Sequence, residues 1–243
     1  MGKVLFVSAG PGSADLITVR GARALAEAEV VLYDALADAE LRSYAPHARW
    51  VNVGKRGFEH SAKQSEINTL LVETALQHRV VVRLKGGDAS VFGRLEEELI
   101  ALAEAGLDCE VVPGVTAALA AAAQAQRPLT RRGRGRTVSL STAMTEAGEL
   151  RAANTADTEV FYMAGRQLPQ LSTLLQQAGW PAETPALVVS HAGRPDALSS
   201  EHRVADLADA AAQHAERPTI VVVGAGGSPL HNSPGPGKPG RAT

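Results

Sequence analysis

The chain has a single cysteine, Cys109, in 243 residues, so no intramolecular disulfide can brace it, and a reducing compartment suits it. Cys109 opens the strand-like run Cys109-Glu110-Val111-Val112, a pattern that reads as a buried, inert thiol. Aromatic residues make up only 4% of the chain, too few to interleave with a basic surface as single-stranded nucleic-acid binders require. Net charge is almost absent: 24 Lys and Arg against 26 Asp and Glu give -2, which leaves any polyanion recognition to a local patch. No apolar run approaches the roughly 20 residues that span a bilayer. A strand pattern begins at Lys3 with no basic-then-apolar leader before it, so neither membrane insertion nor export is expected and the chain reads as cytoplasmic. The 7 histidines are scattered without ligand spacing, and no metal is expected.

What is present is a 45% hydrophobic content, enough for a sizeable core. Strand-length apolar runs at 4–7, 30–33, 50–53, 80–84 and 111–112 alternate with helical patterns such as Leu16-Val19-Ala22-Leu25 and Ile67-Leu70-Leu71-Ala75. Repeated βα units imply a largely parallel sheet. An Ala-rich helix is expected over 115–125, followed by a basic, glycine-containing connection at 127–136. A second set of strands falls at 137–141, 159–163, 186–191, 199–204 and 219–223. The expected organisation is therefore an α/β fold of two lobes, residues 1–126 and 137–224, joined by 127–136. The Gly- and Pro-rich stretch 225–243 reads as an unstructured tail.

Two turns carry chemistry. Val80-Val81-Val82 leads into Gly86-Gly87-Asp88 before a helical pattern resumes at Phe92, which brings backbone and carboxylate together where open α/β sheets bind ligands. Taken alone this is equally a tight turn with an aspartate cap. The turn after the first strand, Ser8-Ala9-Gly10-Pro11-Gly12, lacks the first glycine of a dinucleotide fingerprint. Pro11 also removes an amide that would face a pyrophosphate, which favours an adenosine or thioether over a phosphate.

These turns stand in an ordered series: Ser8 to Gly12 with Leu16-Ile17-Thr18, Val30 to Asp34, Val53 to Arg56, Gln64 to Asn68, Val82 to Asp88, Val112 to Ala117, Pro128-Leu129-Thr130 and Phe161-Tyr162-Met163. Over roughly residues 3 to 224 the series resembles the uroporphyrinogen-III C-methyltransferases, the precorrin-2-forming branch of the tetrapyrrole methylases. Gly54-Lys55-Arg56 and Val91-Phe92-Gly93-Arg94 point to that branch. The resemblance implies two α/β lobes with S-adenosyl-L-methionine in the cleft between them, a homodimer, and methylation of uroporphyrinogen III at C-2 and C-7. Asp34, which could otherwise be a helix cap, resembles the proton acceptor, and Lys55, otherwise a surface lysine, the proton donor. Pro11, Gly86, Gly87, Asp88, Val91, Thr116, Ala117, Met163 and Ala192 resemble the donor pocket, with Asp88 accepting from ribose or the methionine ammonium group.

The segment 127–136 holds five arginines, readable as a solvated linker or as carboxylate recognition, since guanidinium forks pair with carboxylates. Arg131, Arg132 and Arg94 are the substrate-binding candidates. The chain departs from the family pattern at Ala89-Ser90, Leu95, Arg131 and Ser141-Thr142-Ala143. These departures leave open methylation of another precorrin, or donor binding without turnover.

Overall fold

The computed structural model describes residues 2–34, 38–54, 64–143 and 150–230. The first lobe is built from β1 (Lys3–Ser8), α1 (Val19–Ala26), β2 (Val30–Tyr33), β3 (Arg49–Asn52), α2 (Gln64–Gln77), β4 (Val80–Lys85), α3 (Leu95–Glu104), β5 (Cys109–Val112) and α4 (Ala117–Gln124). Its five strands are all parallel, in the order β3-β2-β4-β1-β5. Alternate residues feed opposite layers, as the pleat requires. Leu5, Val7, Val31, Val82 and Leu84 pack with Leu25 of α1, whereas Val4, Phe6, Leu32 and Val81 pack with Leu71 of α2 and Leu102 of α3.

The second lobe contains β6 (Val138–Thr142), β7 (Thr158–Tyr162), α5 (Leu168–Gln177), β8 (Pro185–Ser190), β9 (Leu198–Arg203) and β10 (Thr219–Gly224), ordered β6-β7-β10-β8-β9. Only the β6–β7 pair is parallel; β10 runs against β7 and β8, and β8 against β9. One face is covered by α5 and the 3-10 segment Val204–Ala210. The other is covered by α4, whose Ala118, Ala120 and Ala121 pack on Val160, Leu187, Val189 and Val222. Alanine's small side chain lets that helix lie close to the sheet, so the last helix of the first lobe forms the floor of the second.

Several sequence expectations are corrected. Cys109 is exposed, because it starts β5, the outermost strand of this sheet among the described residues; partial burial and the adjacent Asp108 still push its thiol up. The helix after Asp88 starts at Leu95: Phe92 and Arg94 sit in the left-handed region with φ of 52° and 53°. The segment Ala14–Leu16 is a 3-10 turn, and α1 begins only after Thr18, whose side chain caps it by accepting from the Gly21 amide at 3.1 Å. The chain also stays packed beyond Gly224. The Gly226 amide donates to Thr158 Oγ1 at 2.9 Å, and Arg127 donates to the Gly227 carbonyl at 3.1 Å, so 225–230 belongs to the folded unit.

Candidate active site

The parallel sheet puts the ends of β4, β1 and β5 side by side, and the three turns that follow are joined to one another. Gly10 and Gly87 exchange both backbone hydrogen bonds, at 3.1 and 2.7 Å, with φ of 80° and 68° that other residues adopt only at a cost. A side chain on Gly10 would strike Leu16, but one on Gly87 would meet nothing within 4 Å, so Gly87 turns bare backbone toward open space. Ser8 Oγ accepts from the Ala89 amide at 2.9 Å. Asp88 is the brace of the cluster: Oδ1 accepts from Ser90 N and Oδ2 from Gly114 N, each at 2.8 Å. Both of its carboxylate oxygens are therefore engaged by backbone amides.

The second lobe meets these turns at the matching ends of β7 and β8. Ser13 donates from its amide and hydroxyl to the Gly193 carbonyl, both at 2.9 Å, which pins the Pro11 turn beside Ala192. Tyr162 ends β7 with its hydroxyl 2.6 Å from Thr116 Oγ1, accepts from the Ala118 amide at 3.3 Å, and packs its ring 4.9 Å from that of Phe92. Val91 and Ala117 join the apolar cluster around Tyr162. Met163 follows with φ 59° and is 53% exposed, an unusual placement for a large apolar side chain. Pro11, Gly86–Asp88, Val91, Thr116, Ala117, Met163 and Ala192 thus lie around one inter-lobe cleft. Tyr162 is an addition to the site; in the sequence it stood in the Phe161-Tyr162-Met163 motif without a role of its own.

Asp34 lies beside this cleft at the end of β2, where its Oδ1 accepts from Arg83 Nη2 at 2.7 Å. Arg83 and Lys85, alternate residues of the central strand β4, are buried and share the carboxylate of Glu98 from α3. Two cations on a strand covered on both faces need such a partner. Burial, with Arg83 beside it, pushes the Lys85 ammonium below its usual range against the pull of Glu98. Lys55 lies outside the described residues. Arg94 is exposed and forms a two-pronged pair with Glu97, at 2.9 and 2.7 Å, on the first turn of α3.

Arg131 and Arg132 are not brought to the cleft, which corrects the expectation that they line the substrate side. The register pairs Thr158 with Gly224 at one end of the second sheet and Tyr162 with Ile220 toward the other. Met163 and Ala192 follow the second end. Arg131 sits at the first, donating to the Ser228 and Pro229 carbonyls, and Arg132 is exposed beside it. A cavity of about 430 Å³ opens there among Arg131, Arg134, Asp157, Trp180 and Pro185, far along the strands from Asp88 and Met163. The chain reverses at Arg131–Gly135 before β6 begins, and that reversal keeps the basic segment at the strands' starting ends.

Glycine turns at parallel strand ends, an open cleft closed by a second sheet and a buried acid–base cluster beside it define a two-lobed α/β enzyme acting on small molecules. The family profile of the Tetrapyrrole (Corrin/Porphyrin) Methylases matches residues 3–211, and the chain belongs to that family. It is 41% identical over 234 residues to the uroporphyrinogen-III C-methyltransferase of Synechocystis sp., covering 93% of this chain and 89% of that protein. It is 40% identical over 230 residues to the siroheme synthase of Actinobacillus pleuropneumoniae, covering 92% of this chain but 47% of that longer protein. Among solved structures, the Thermus thermophilus uroporphyrin-III C-methyltransferase complexed with S-adenosyl homocysteine superposes with a TM-score of 0.81 at 35% identity, over 92% of this chain and 97% of that one.

Proposed function

We propose that this chain transfers methyl groups from S-adenosyl-L-methionine to C-2 and C-7 of uroporphyrinogen III, giving precorrin-2, the tetrapyrrole that leads to sirohaem, cobalamin or haem d1. The observation that carries this is the likeness, across nearly the whole chain, to an enzyme solved with S-adenosyl homocysteine. The cleft agrees with such a donor. Gly87 leaves space against bare backbone where a ligand can approach closely, and the exposed Met163 and half-buried Pro11 and Val91 supply apolar wall for an adenosine and a thioether.

The donor supplies an already electrophilic methyl group. The protein's share is accordingly to orient the pyrrole carbon, exclude water and manage protons. Asp34, held by Arg83, is read as the acceptor of the proton whose loss balances the methyl cation gained, and Lys55 as a proton donor that protonates one substrate position as a proton leaves another, so that the product stays uncharged at its ring. The turns at Pro11, Gly86–Asp88 and Thr116–Ala117, with Met163 and Ala192, are read as the donor's seat, Asp88 acting by bracing it. Arg94 is the remaining candidate for a substrate carboxylate. The chain is further read as a homodimer working in the cytoplasm. The single cysteine agrees with a reducing compartment, and among the described residues no helix is long and apolar enough to cross a membrane.

Turnover with donor labelled in its methyl group tests the reading: label should pass to uroporphyrinogen III in the native chain. Asp34→Ala and Lys55→Ala should lose turnover while still binding S-adenosyl homocysteine. Full turnover in both variants would remove their assigned roles, and a sedimenting species of monomer mass would remove the homodimer.

A further inference from the structure

Three acids follow one another at the start of α3, Glu96, Glu97 and Glu98, and only the third is fully buried. A carboxylate with 0% exposure must be compensated or its burial would destabilise the fold severely. Here the compensation is heavily one-sided. Glu98 Oε1 accepts from Arg83 Nε at 3.2 Å, Arg83 Nη2 at 3.0 Å, Lys85 Nζ at 2.9 Å and Gln64 Nε2 at 3.2 Å, and Oε2 accepts from Lys85 Nζ at 3.0 Å. The same Arg83 Nη2 donates to Asp34 Oδ1, and Arg83 Nη1 donates to the Leu84 carbonyl at 3.1 Å. Two cations and two carboxylates thus form one neutral cluster, with only its Asp34 end reaching the cleft.

The geometry of Arg83 is what Glu98 determines. A guanidinium is a planar fork, so fixing Nε and Nη2 on one carboxylate oxygen fixes the direction in which Nη2 presents its second hydrogen. That hydrogen goes to Asp34. Glu98 is itself anchored from a third element. Gln64, at the start of α2, donates to both Glu98 and Asn68 Oδ1, and Asn68 donates to the Glu97 carbonyl at 3.1 Å, tying α2 to the first turn of α3. The Gln64 to Asn68 motif acquires a purpose here as the outer support of the cluster.

We infer that Glu98, supported by Lys85 and Gln64, is a positioning residue for methyl transfer: it aims Arg83, and through Arg83 sets the place and orientation of the Asp34 carboxylate. The inference rests on the reading of Asp34 as proton acceptor. Lys85 meets the donor turns through its backbone, whose carbonyl accepts from the Ala9 amide at 2.8 Å, whereas the side-chain bonds given above run within the cluster and to Gln64 and Leu84; loss of the Glu98 carboxylate should therefore be felt in turnover and not in donor binding.

The test uses the full chain with uroporphyrinogen III and S-adenosyl-L-methionine, measuring kcat, both KM values and S-adenosyl homocysteine affinity. Glu98→Gln should lower kcat by about 10- to 100-fold, because misaiming a reacting group by about an ångström has that effect. Donor affinity should stay within about twofold, and Glu98→Asp should restore part of the loss. Should Glu98→Gln prove unstable because Lys85 is left unpaired, the neutral pair Lys85→Met with Glu98→Gln keeps the cluster's charge balanced and should show the same loss of kcat. Gln64→Ala, which removes a single support, should show a smaller loss. In an Asp34→Ala background Glu98→Gln should add almost nothing, since residues acting through one group are not additive. A wild-type kcat in Glu98→Gln or in the neutral pair, or full additivity with Asp34→Ala, would overturn the inference. Wild-type turnover in Asp34→Ala itself would instead overturn the reading of Asp34 on which it rests.

Discussion

Replacing Asp88 by alanine separates two uses of a carboxylate, holding a ligand and holding the loops around it. The residue accepts from Ser90 N and Gly114 N at 2.8 Å each, joining the turn after β4 to the turn after β5. Hydrogen bonds to a charged acceptor contribute about 1.5–3 kcal/mol apiece. Because Asp88 is half-exposed, water can take over part of each, and about 2 kcal/mol in total is a reasonable loss. For a protein of this size that corresponds to a fall of roughly 4–8 °C in Tm. The Gly10–Gly87 pair would lose its lateral support at the same time, so S-adenosyl homocysteine should bind about tenfold more weakly, or about 1.4 kcal/mol. Asp88→Asn keeps one acceptor but turns an amide donor toward the other amide, and should fall between the two. The assay is calorimetric melting paired with ligand titration on the three proteins. An unchanged Tm in Asp88→Ala with donor binding lost would refute the brace and return the carboxylate to direct ligand contact; a lowered Tm with unchanged affinity would separate these turns from the donor seat.

Three other outcomes follow from the same geometry. Arg131→Ala with Arg132→Ala should leave the tetrapyrrole KM unchanged at low and high salt, while losing about 2 kcal/mol of stability from the Arg131 bonds to the Ser228 and Pro229 carbonyls, measurable by denaturant titration. Gly87→Ala places a methyl where nothing lies within 4 Å, so it should fold with only about 1–2 kcal/mol of backbone strain, yet lose donor affinity in proportion to the space it takes from the cleft. His214 is buried between the Ser190 and Ser200 hydroxyls, at 2.8 Å from each, and burial pushes its imidazole below the ordinary value of 6.5. The unfolded chain therefore binds the proton first as pH falls: the stability from neutral His214 is complete above 6.5 and declines below it, so Tm should fall on acidification and His214→Gln should flatten that fall.

The strands were legible because continuous apolar runs such as Val4 to Val7 and Val80 to Val82 are the direct trace of strands buried on both faces. The allegiance of α4 was not. A helix of almost uniform alanine carries no apolar stripe, so its packing against the second sheet shows only in three dimensions. The cleft turns were legible as a set, but the job of Asp88 was not, since its backbone partner Gly114 lies 26 residues away. Glu98 could have been found. Leu95, Glu98 and Leu102 share one helical face at spacings of three and four, so a charge in the middle of that face calls for a buried cation, and Arg83 and Lys85 supply two from an otherwise apolar strand. Arg131 misled because a run of arginines indicates charge without indicating which end of the sheet receives it.

Incubating the purified chain with uroporphyrinogen III and S-adenosyl-L-methionine under reducing conditions, then weighing the tetrapyrrole by mass spectrometry, decides whether this protein makes precorrin-2. A product heavier by two CH2 units, each methyl having replaced a hydrogen, with two S-adenosyl homocysteine molecules released per tetrapyrrole, is the expected outcome. A tetrapyrrole of unchanged mass, from protein that is folded and binds S-adenosyl homocysteine, would contradict it.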